Sequence, residues 1–409
     1  MRTIQKSSKL HDVCYDIRGP VLEKAKQMEQ AGRDVIKLNI GNLGLFDFDP
    51  PEEILNYMRD NMRAAAAYSD SKGLWACREA IMLEMEKQRI HSPSMEHIYV
   101  GNGASELIVM SMNALLNNGD EVLIPSPDYP LWTAAVSLSG GLPVHYHCDD
   151  ETDWAPDIDD IRRKITAQTR AIVIINPNNP TGAVYSKEVL EAIIGLARQH
   201  HLILFSDEIY SQTLYDDAKH IPIAALADDI LFITLNGLSK NYQACGYRAG
   251  WMTVSGKKDH AKDYILGLDM LASMRLCSNV LGQLAIQVAL SQPSNVNPLV
   301  EPGGRLYAQR ELAYDLLTSI PGVSCIKPKA ALYLFPKLDQ TLYPITDDRD
   351  FIYQLLIKEQ VLVVQGTGFN WPRPDHFRLV FLPHLDQLTL AITKMAVFLA
   401  DYRQQHGTD

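Results

Sequence analysis

The sequence predicts an α/β fold, with a large domain built on a mostly parallel seven-stranded sheet covered by helices, and a smaller α+β domain. Three observations lead there. Seven short apolar runs rich in valine and isoleucine alternate with helical stretches between Ile98 and Val254. The runs are continuous, which marks strands buried on both faces, as in a sheet with helices on each side. At 409 residues the chain also exceeds what one hydrophobic core usually spans, so a second packed unit is expected.

The elements follow in order. A helix is expected from Pro20 to Gly32, because proline suits the first helical position and glycine the residue after the last turn. Its charges lie on most faces, which suits a surface or subunit-bridging helix. Val35 to Ile40 (VIKLNI) reads as a short strand. The seven sheet strands are IYV from Ile98, EVLIP from Glu121, PVHYH from Pro143, AIVIIN from Ala171, LILFSD from Leu202, LFITLN from Leu231 and AGWMTV from Ala249. The chain then reads as helical from about Lys257 to Ser291, with Pro293 and Pro298 breaking it. A helix from Gly304 to Ser319 leads into the smaller unit, whose strands are VSCI at Val323, ALYLF at Ala331, VLVV at Val361 and FRLVF at Phe377. A last helix runs from Asp386 to Tyr402. The expected division is 1–45 as an N-terminal arm and part of the small domain, 46–295 as the large domain, and 296–409 as the small C-terminal domain.

Bulk properties narrow the partners. The formal charge of −11 disfavours nucleic acid and anionic membrane, so an anionic ligand needs its own local ring of donors. Six cysteines lie far apart, without CxxC or a zinc-like Cys/His spacing, which points to reduced thiols and no metal. Met1 to Leu10 has no apolar segment behind its basic residues, and no apolar run approaches the ~20 residues of a membrane span. A cytoplasmic protein is expected.

What ends each strand carries the chemistry. After IYV comes Gly101-Asn102-Gly103-Ala104-Ser105, opening a helix; free backbone N–H groups and a hydroxyl there suit phosphate, although a plain tight turn has the same composition. After AIVIIN comes Asn176-Pro177-Asn178-Asn179-Pro180-Thr181-Gly182, a stiff loop that either aims an asparagine amide at a ligand or simply turns the chain. After LILFS come Asp207, Glu208 and Tyr210. A carboxylate at a buried strand end is costly unless paired, with a protonated heterocyclic nitrogen or with a lysine or arginine. After LFITLNGL come Ser239, Lys240 and then Arg248. A desolvated lysine amine can attack a carbonyl to form a Schiff base, though most lysines are solvated surface groups.

The four sites interlock, because open α/β sheets place ligands at the carboxyl ends of their strands. Ser105, Ser239 and Arg248 supply phosphate donors, Lys240 an amine, Asp207 an acid for a pyridinium, and Asn179 and Tyr210 donors for a phenolate. Pyridoxal 5′-phosphate requires that set as an electron sink.

On these motifs the chain resembles the fold-type I (class I/II) pyridoxal-phosphate-dependent aminotransferases over nearly its whole length. NPNNPTG from Asn176, SDEIY from Ser206 and SKNYQACGYRAGW from Ser239 carry the resemblance. SSKLHDVCYDIRGPVL from Ser7, DYPLWTAAVSLSGG from Asp128, ASMRLCSN from Ala272 and VQGTGFNWP from Val364 make it similar in particular to the bacterial alanine aminotransferase group.

The resemblance implies roles. Lys240 would form the Schiff base with the cofactor and carry the substrate proton. Asp207 would keep the pyridine nitrogen protonated, and Asn179 and Tyr210 would bind the ring oxygen. Tyr129, in the helix opened by DYPLW, would stack on the ring. Ala104, Ser105, Ser239 and Arg248 would bind the phosphate, and Tyr68 would reach the phosphate of a neighbouring subunit in a homodimer. Arg378 would pair with the substrate α-carboxylate, as a guanidinium fork suits, and Gly41 would let substrate approach the backbone. Tyr15 and Arg18 are candidates for a distal carboxylate, with plain packing or pairing at an interface the alternative for Arg18.

The implied reaction is transamination between a small amino acid, L-alanine, and 2-oxoglutarate. The same residues also fit another amino-acid specificity, a carbon–sulfur lyase, a racemase or a cofactor-sensing module. Two departures stand out: Leu43 replaces the family's proline near the expected substrate entrance, and Ala330 replaces its glycine, which matters only where φ is positive.

Overall fold

All seven expected runs form strands, and an eighth joins them. The computed structural model describes residues 3–10, 13, 19–292 and 296–406. Numbered in chain order, β1 is Ile36–Lys37, β2 Ile98–Asn102, β3 Glu121–Ser126, β4 Leu142–Asp149, β5 Ala155–Pro156, β6 Thr169–Ile175, β7 Ile203–Asp207, β8 Leu231–Gly237 and β9 Ala249–Gly256. The large sheet has the order β2-β9-β8-β7-β6-β3-β4-β5. Strands β4, β3, β6, β7 and β8 are parallel, whereas β9 runs antiparallel to both β8 and β2. The eighth strand corrects the expected seven. β5 is only two residues long, too short for an apolar run, and pairs antiparallel with Cys148 and Asp149.

The continuous apolar runs do bury both faces. Val122, Ile124, Val173, Ile175 and Ile233 pack on one side with Leu107 and Trp132 from the helices Ala104–Leu115 and Leu131–Leu138. Their chain neighbours Leu123, Ile172, Ile174 and Phe232, with Leu204, pack on the other with Ile81, Leu190 and Ala285 from the helices Trp75–Lys87, Lys187–His200 and Val280–Ser291. Alternate residues point to opposite faces of a strand, so both neighbours must be apolar when helices cover both faces.

A separate core joins the N-terminal segment to the C-terminal part. Val21, Ala25 and Met28 of the helix Pro20–Gln30 meet Leu306, Tyr333, Leu355, Val380 and Phe398 there. The remaining strands are β10 Val323–Ser324, β11 Tyr333–Leu334, β12 Lys337–Leu338, β13 Val361–Leu362, β14 Val364–Gln365 and β15 Phe377–Val380. They form small sheets: β1 parallel to β13, β10 with β12, and the order β11-β15-β14.

Several boundaries differ from expectation. Only Ile36–Lys37 of the run VIKLNI pairs as a strand. The helical stretch after β9 is two helices, Lys262–Met274 and Val280–Ser291, separated where Leu276 adopts a left-handed φ of 69°. Pro298 lies inside the short helix Asn297–Val300 at its first turn, where a missing N–H costs nothing. A helix over Asp348–Glu359 was not anticipated, and Asp347 caps it by accepting from the Arg349 and Asp350 N–H groups. Among the described residues, no helix is long and apolar enough to cross a membrane.

Candidate active site

The carboxyl ends of β6, β7 and β8 open on a cleft of about 510 Å³ that also receives β2's end, the Gly41 loop, β11 and β15. The parallel register lines up these ends, so residues far apart in sequence meet there.

Asp207 ends β7 and is buried. Its Oδ2 accepts from Trp132 Nε1 at 3.2 Å and its Oδ1 from the Ile209 N–H at 3.3 Å. Burial pushes its carboxyl up to about 6, outweighing both donors. Among the described residues no lysine or arginine bonds to it; its donors are Trp132 and the Ile209 N–H.

Lys240 lies in the short helix Leu238–Asn241 after β8, half-buried, and its Nζ donates to the Gly41 carbonyl at 2.5 Å. A Cβ on Gly41 would stand 2.8 Å from Tyr333 Oη and 3.4 Å from Lys240 Nζ, so glycine is what keeps that approach open. The Tyr333 hydroxyl in turn meets the buried Tyr210 hydroxyl at 2.5 Å, and desolvation holds the Tyr210 phenol well above its ordinary range.

Arg378, in β15, is buried with its guanidinium between two rings, 4.3 Å from the Tyr333 centroid and 4.6 Å from that of Phe369. Nη1 donates to Asn179 Oδ1 at 2.9 Å and Nη2 to the Asn39 carbonyl. Rings and acceptors fix the plane of the fork, which prepares it for a planar carboxylate.

The far end of the cleft is built for an anion. Ala104 and Ser105 open the helix Ala104–Leu115, whose first N–H groups point out of its positive end. Ser239 and Arg248 line the same wall. Arg248 sits in a left-handed conformation (φ 51°), and its Nη1 donates to the Cys245 carbonyl at 2.8 Å. Gly103 has φ 78° and ψ 164°, a region open almost only to glycine, and a Cβ there would lie 2.2 Å from Arg248 Nη2.

A model of the family "Aminotransferase class I and II" matches residues 33–393. The chain belongs to that family. It is 58% identical to the glutamate-pyruvate aminotransferase AlaA of Escherichia coli K12 over 99% of this chain and all of that one. It is 52% identical to an alanine aminotransferase of Mycobacterium tuberculosis, covering 98% of this chain and 94% of the relative. Among solved structures, an aminotransferase from Escherichia coli superposes with a TM-score of 0.97 at 58% identity, covering 98% of this chain and 100% of that one. The alanine aminotransferase from Pyrococcus furiosus superposes with a TM-score of 0.90 at 36% identity, over 97% of this chain and 100% of that one.

In this aminotransferase the residues expected from sequence mostly converge. Lys240, Asp207, Asn179, Tyr210, Tyr129, Ser239, Ala104, Ser105, Arg248, Arg378 and Gly41 all line the one cleft. Tyr129 does so from the residues before the helix Leu131–Leu138, not from within it as expected. Tyr68 is 80% exposed and does not line the cleft of its own chain. Tyr15 and Arg18 lie outside the described residues. Leu43 is buried in the second core while its neighbours Gly41 and Asn42 line the cleft, so its side chain turns away from the expected entrance. The residue with positive φ near Ala330 is Ala331 (φ 64°), one place further on, so the departure at Ala330 needs no glycine.

Sequence reasoning missed Trp132, Tyr333 and Phe369. Each stands inside a stretch quoted for other reasons, in DYPLW, ALYLF and GTGFNW; Trp132 and Phe369 carry no titrating group, and the Tyr333 phenol lies within a strand and not after one. Proximity to Tyr129, three residues before Trp132, was the available signal for Trp132; Tyr333 and Phe369 had none of that kind.

Proposed function

We propose that this aminotransferase moves the amino group between L-alanine and 2-oxoglutarate, giving pyruvate and L-glutamate, with pyridoxal 5′-phosphate as cofactor. The observation that carries the reading is the polarity of the cleft. A buried carboxyl, Asp207, stands at one wall, a helix N-terminus with Arg248 at another, and the Lys240 amine lines the space they share. The donor set fits the cofactor: a carboxylate for a cationic ring nitrogen, N–H and guanidinium groups for its phosphate, and an amine for its aldehyde. The names of the two relatives support the substrate pair.

When bound, the cofactor supplies a carbonyl that captures the substrate amine and a ring that withdraws electrons from its α-carbon. The chain does the rest. Arg378 binds the substrate α-carboxylate and fixes which face of the α-carbon meets Lys240. The Lys240 amine takes the α-proton and returns it, as a positioned base and acid. Asp207, ionised beside a cationic nitrogen, holds the proton there, and Trp132 keeps that carboxylate aimed. Tyr210, tethered by Tyr333, and the Asn179 amide donate to the ring oxygen. Ala104, Ser105, Ser239 and Arg248 anchor the phosphate. Two half-reactions share the site, so kinetics are ping-pong. Tyr15 and Arg18 remain the proposed partners of the distal carboxylate.

The proposed division places 1–45 with 296–409 around the second core and 46–295 around the large sheet. The proposed assembly is a homodimer. Tyr68, Trp75, Met274 and Leu276 are all exposed, and their segments adjoin, since Arg275 Nη2 donates to the Ser71 carbonyl and Gln283 to Ser69. That patch abuts the phosphate end through Asn279 N–H, which donates to Asn102 Oδ1. From there Tyr68 is well set to reach a partner's site, and a second copy would cover apolar surface of the kind monomers seldom expose.

The test is purification, visible absorption, titration with L-alanine and assay of pyruvate with and without 2-oxoglutarate. Pyruvate beyond one equivalent per site formed only with the acceptor, and turnover abolished in Lys240→Ala, are expected. Sustained turnover in Lys240→Ala, or many equivalents of pyruvate per site without an acceptor, overturns the reading.

A further inference from the structure

The turn over 366–371 connects the two walls of the cleft, and its contacts suggest a role for a residue that does not touch the cleft at all. Asn370 sits in a left-handed conformation (φ 57°), which asparagine tolerates better than most residues. Its Nδ2 donates to Asp128 Oδ1 at 2.7 Å, 242 positions earlier in the chain, and to Thr133 Oγ1 at 3.2 Å. The Thr133 hydroxyl donates to Asp128 Oδ2 at 2.7 Å, Ser126 Oγ donates to the Asn370 carbonyl at 2.7 Å, and the Asp128 N–H donates to the Phe369 carbonyl at 2.9 Å. At its other end the turn is held by its own side of the cleft: the Thr367 N–H and hydroxyl donate to Asp348 at 2.9 and 2.7 Å.

The residues on either side of this latch face the site. Tyr129, next to Asp128, lines the cleft. Phe369, next to Asn370, is fully buried with its ring against the Arg378 guanidinium. We infer that Asn370 is a positioning residue: by bonding to Asp128 and Thr133 it fixes Phe369 against Arg378 and holds the carboxylate-binding guanidinium in register with the Tyr129 wall. The inference rests on the reading of Arg378 as partner of the substrate carboxylate. Asp128 is fully buried, and a buried carboxyl that loses a donor is costly, so the latch has a strong preference for one geometry. A neutral amide is also the group that serves best there, since a carboxylate in its place would oppose Asp128.

The test uses holoenzyme and a probe that binds without reacting. Asn370→Gly keeps the left-handed backbone and removes the amide. Thr133→Val removes the hydroxyl at nearly constant shape and serves as the second variant if the first folds poorly. Propionate, a carboxylate of alanine's size, is titrated into each holoenzyme and followed by the visible spectrum, beside cofactor affinity and thermal melting. The expected result is propionate affinity and KM for both substrates weakened about tenfold with cofactor affinity unchanged. A lowered melting temperature with propionate affinity unchanged means a merely structural role and overturns the inference. Arg378→Ala separates the two levels: if it leaves propionate binding intact, the reading of Arg378 fails. If it abolishes binding while both latch variants bind as the wild type does, the inference alone fails.

Discussion

The hydroxyls of Tyr210 and Tyr333 stand 2.5 Å apart, with their rings edge to face and centroids separated by 5.7 Å. One residue follows β7 of the large sheet and the other lies in β11 of the second core, so this bond closes the cleft across its two walls. Tyr333 also stacks on Arg378. With Tyr210 proposed to donate to the cofactor's ring oxygen and Arg378 to grip the substrate, Tyr333 is placed to orient both.

Removing only the Tyr333 hydroxyl should show this. Tyr333→Phe keeps the ring on Arg378 and leaves the buried Tyr210 hydroxyl short of a partner, at a cost of about 1–3 kcal/mol. A fall in kcat/KM of roughly tenfold to a hundredfold is expected, together with a displaced absorption maximum of the bound cofactor. Steady-state kinetics and a visible spectrum decide it, and unchanged values in both would rule out a role for the Tyr333 hydroxyl.

Asp207 sets function against stability, and pH separates the two. Burial raises its folded value to about 6 from an ordinary 3.8. The folded protein without cofactor thus holds a proton that the unfolded chain has released, and stability is lost as pH rises from about 4 through about 6, by at most about 3 kcal/mol. An amide carries no such charge. Asp207→Asn without cofactor should therefore melt higher than the wild type at pH 8, with the gap closing toward pH 5. Transamination should fall roughly 10²-fold or more, because the charge that holds the ring proton is gone. Melting curves at both pH values check the first claim and kcat the second; a less stable Asp207→Asn at pH 8 contradicts the account.

Glu208, the next residue, is pushed up further by the same cause. It is buried, accepts from Ser206 Oγ at 2.9 Å and lies 3.7 Å from His220 Nε2. That separation suggests an ion pair, yet burial pushes Glu208 up to about 8 and His220 down to about 4. Both partners are neutral at pH 7, and the contact is longer than a hydrogen bond. Asp207 thus remains the one carboxylate of this pair that ionises below neutrality. Glu208→Gln should leave kcat unchanged. The wild type loses stability as pH rises from about 4.5, where the unfolded carboxyl ionises, through about 8, so Glu208→Gln should already be the more stable protein at pH 7 and more so at pH 9. A large loss of stability for Glu208→Gln at pH 7 would instead require an ionised Glu208.

These carboxyls also mark how far the sequence could be read. The large sheet was legible because valine and isoleucine runs such as AIVIIN state burial on both faces, and Asn179, Asp207 and Lys240 stand where such strands end. The parallel register supplies their meeting in one cleft, and the family resemblance, not pattern, supplied roles such as that of Tyr129. The second core gave less. β11, β13 and β14 have two residues each, and no periodicity survives in so short a strand. Tyr333 and Phe369 act only through contacts with Tyr210 and Arg378, and the latter partnership is between residues that no spacing rule connects. Glu208 and Asp207 look alike in SDEIY; only their surroundings tell them apart.

The anion end depends on a residue with no side chain. Gly103 occupies a backbone region that costs other residues about 1–3 kcal/mol, and a Cβ there would lie 2.2 Å from Arg248 Nη2 and 2.8 Å from its Cζ. Neighbouring backbone is rigid, being held on one side by β2 and on the other by the helix Ala104–Leu115, so the guanidinium is the part that gives way. Displaced, it leaves the phosphate one charge-assisted partner short, which is worth about 1.5–3 kcal/mol. Gly103→Ala should therefore weaken cofactor binding by roughly tenfold to a hundredfold, and at saturating cofactor it should keep much of kcat, because Lys240, Asp207 and Arg378 are untouched. Titration of the cofactor-free protein measures the affinity, and a variant that binds cofactor as the wild type does would show that Arg248 has no part in holding the phosphate.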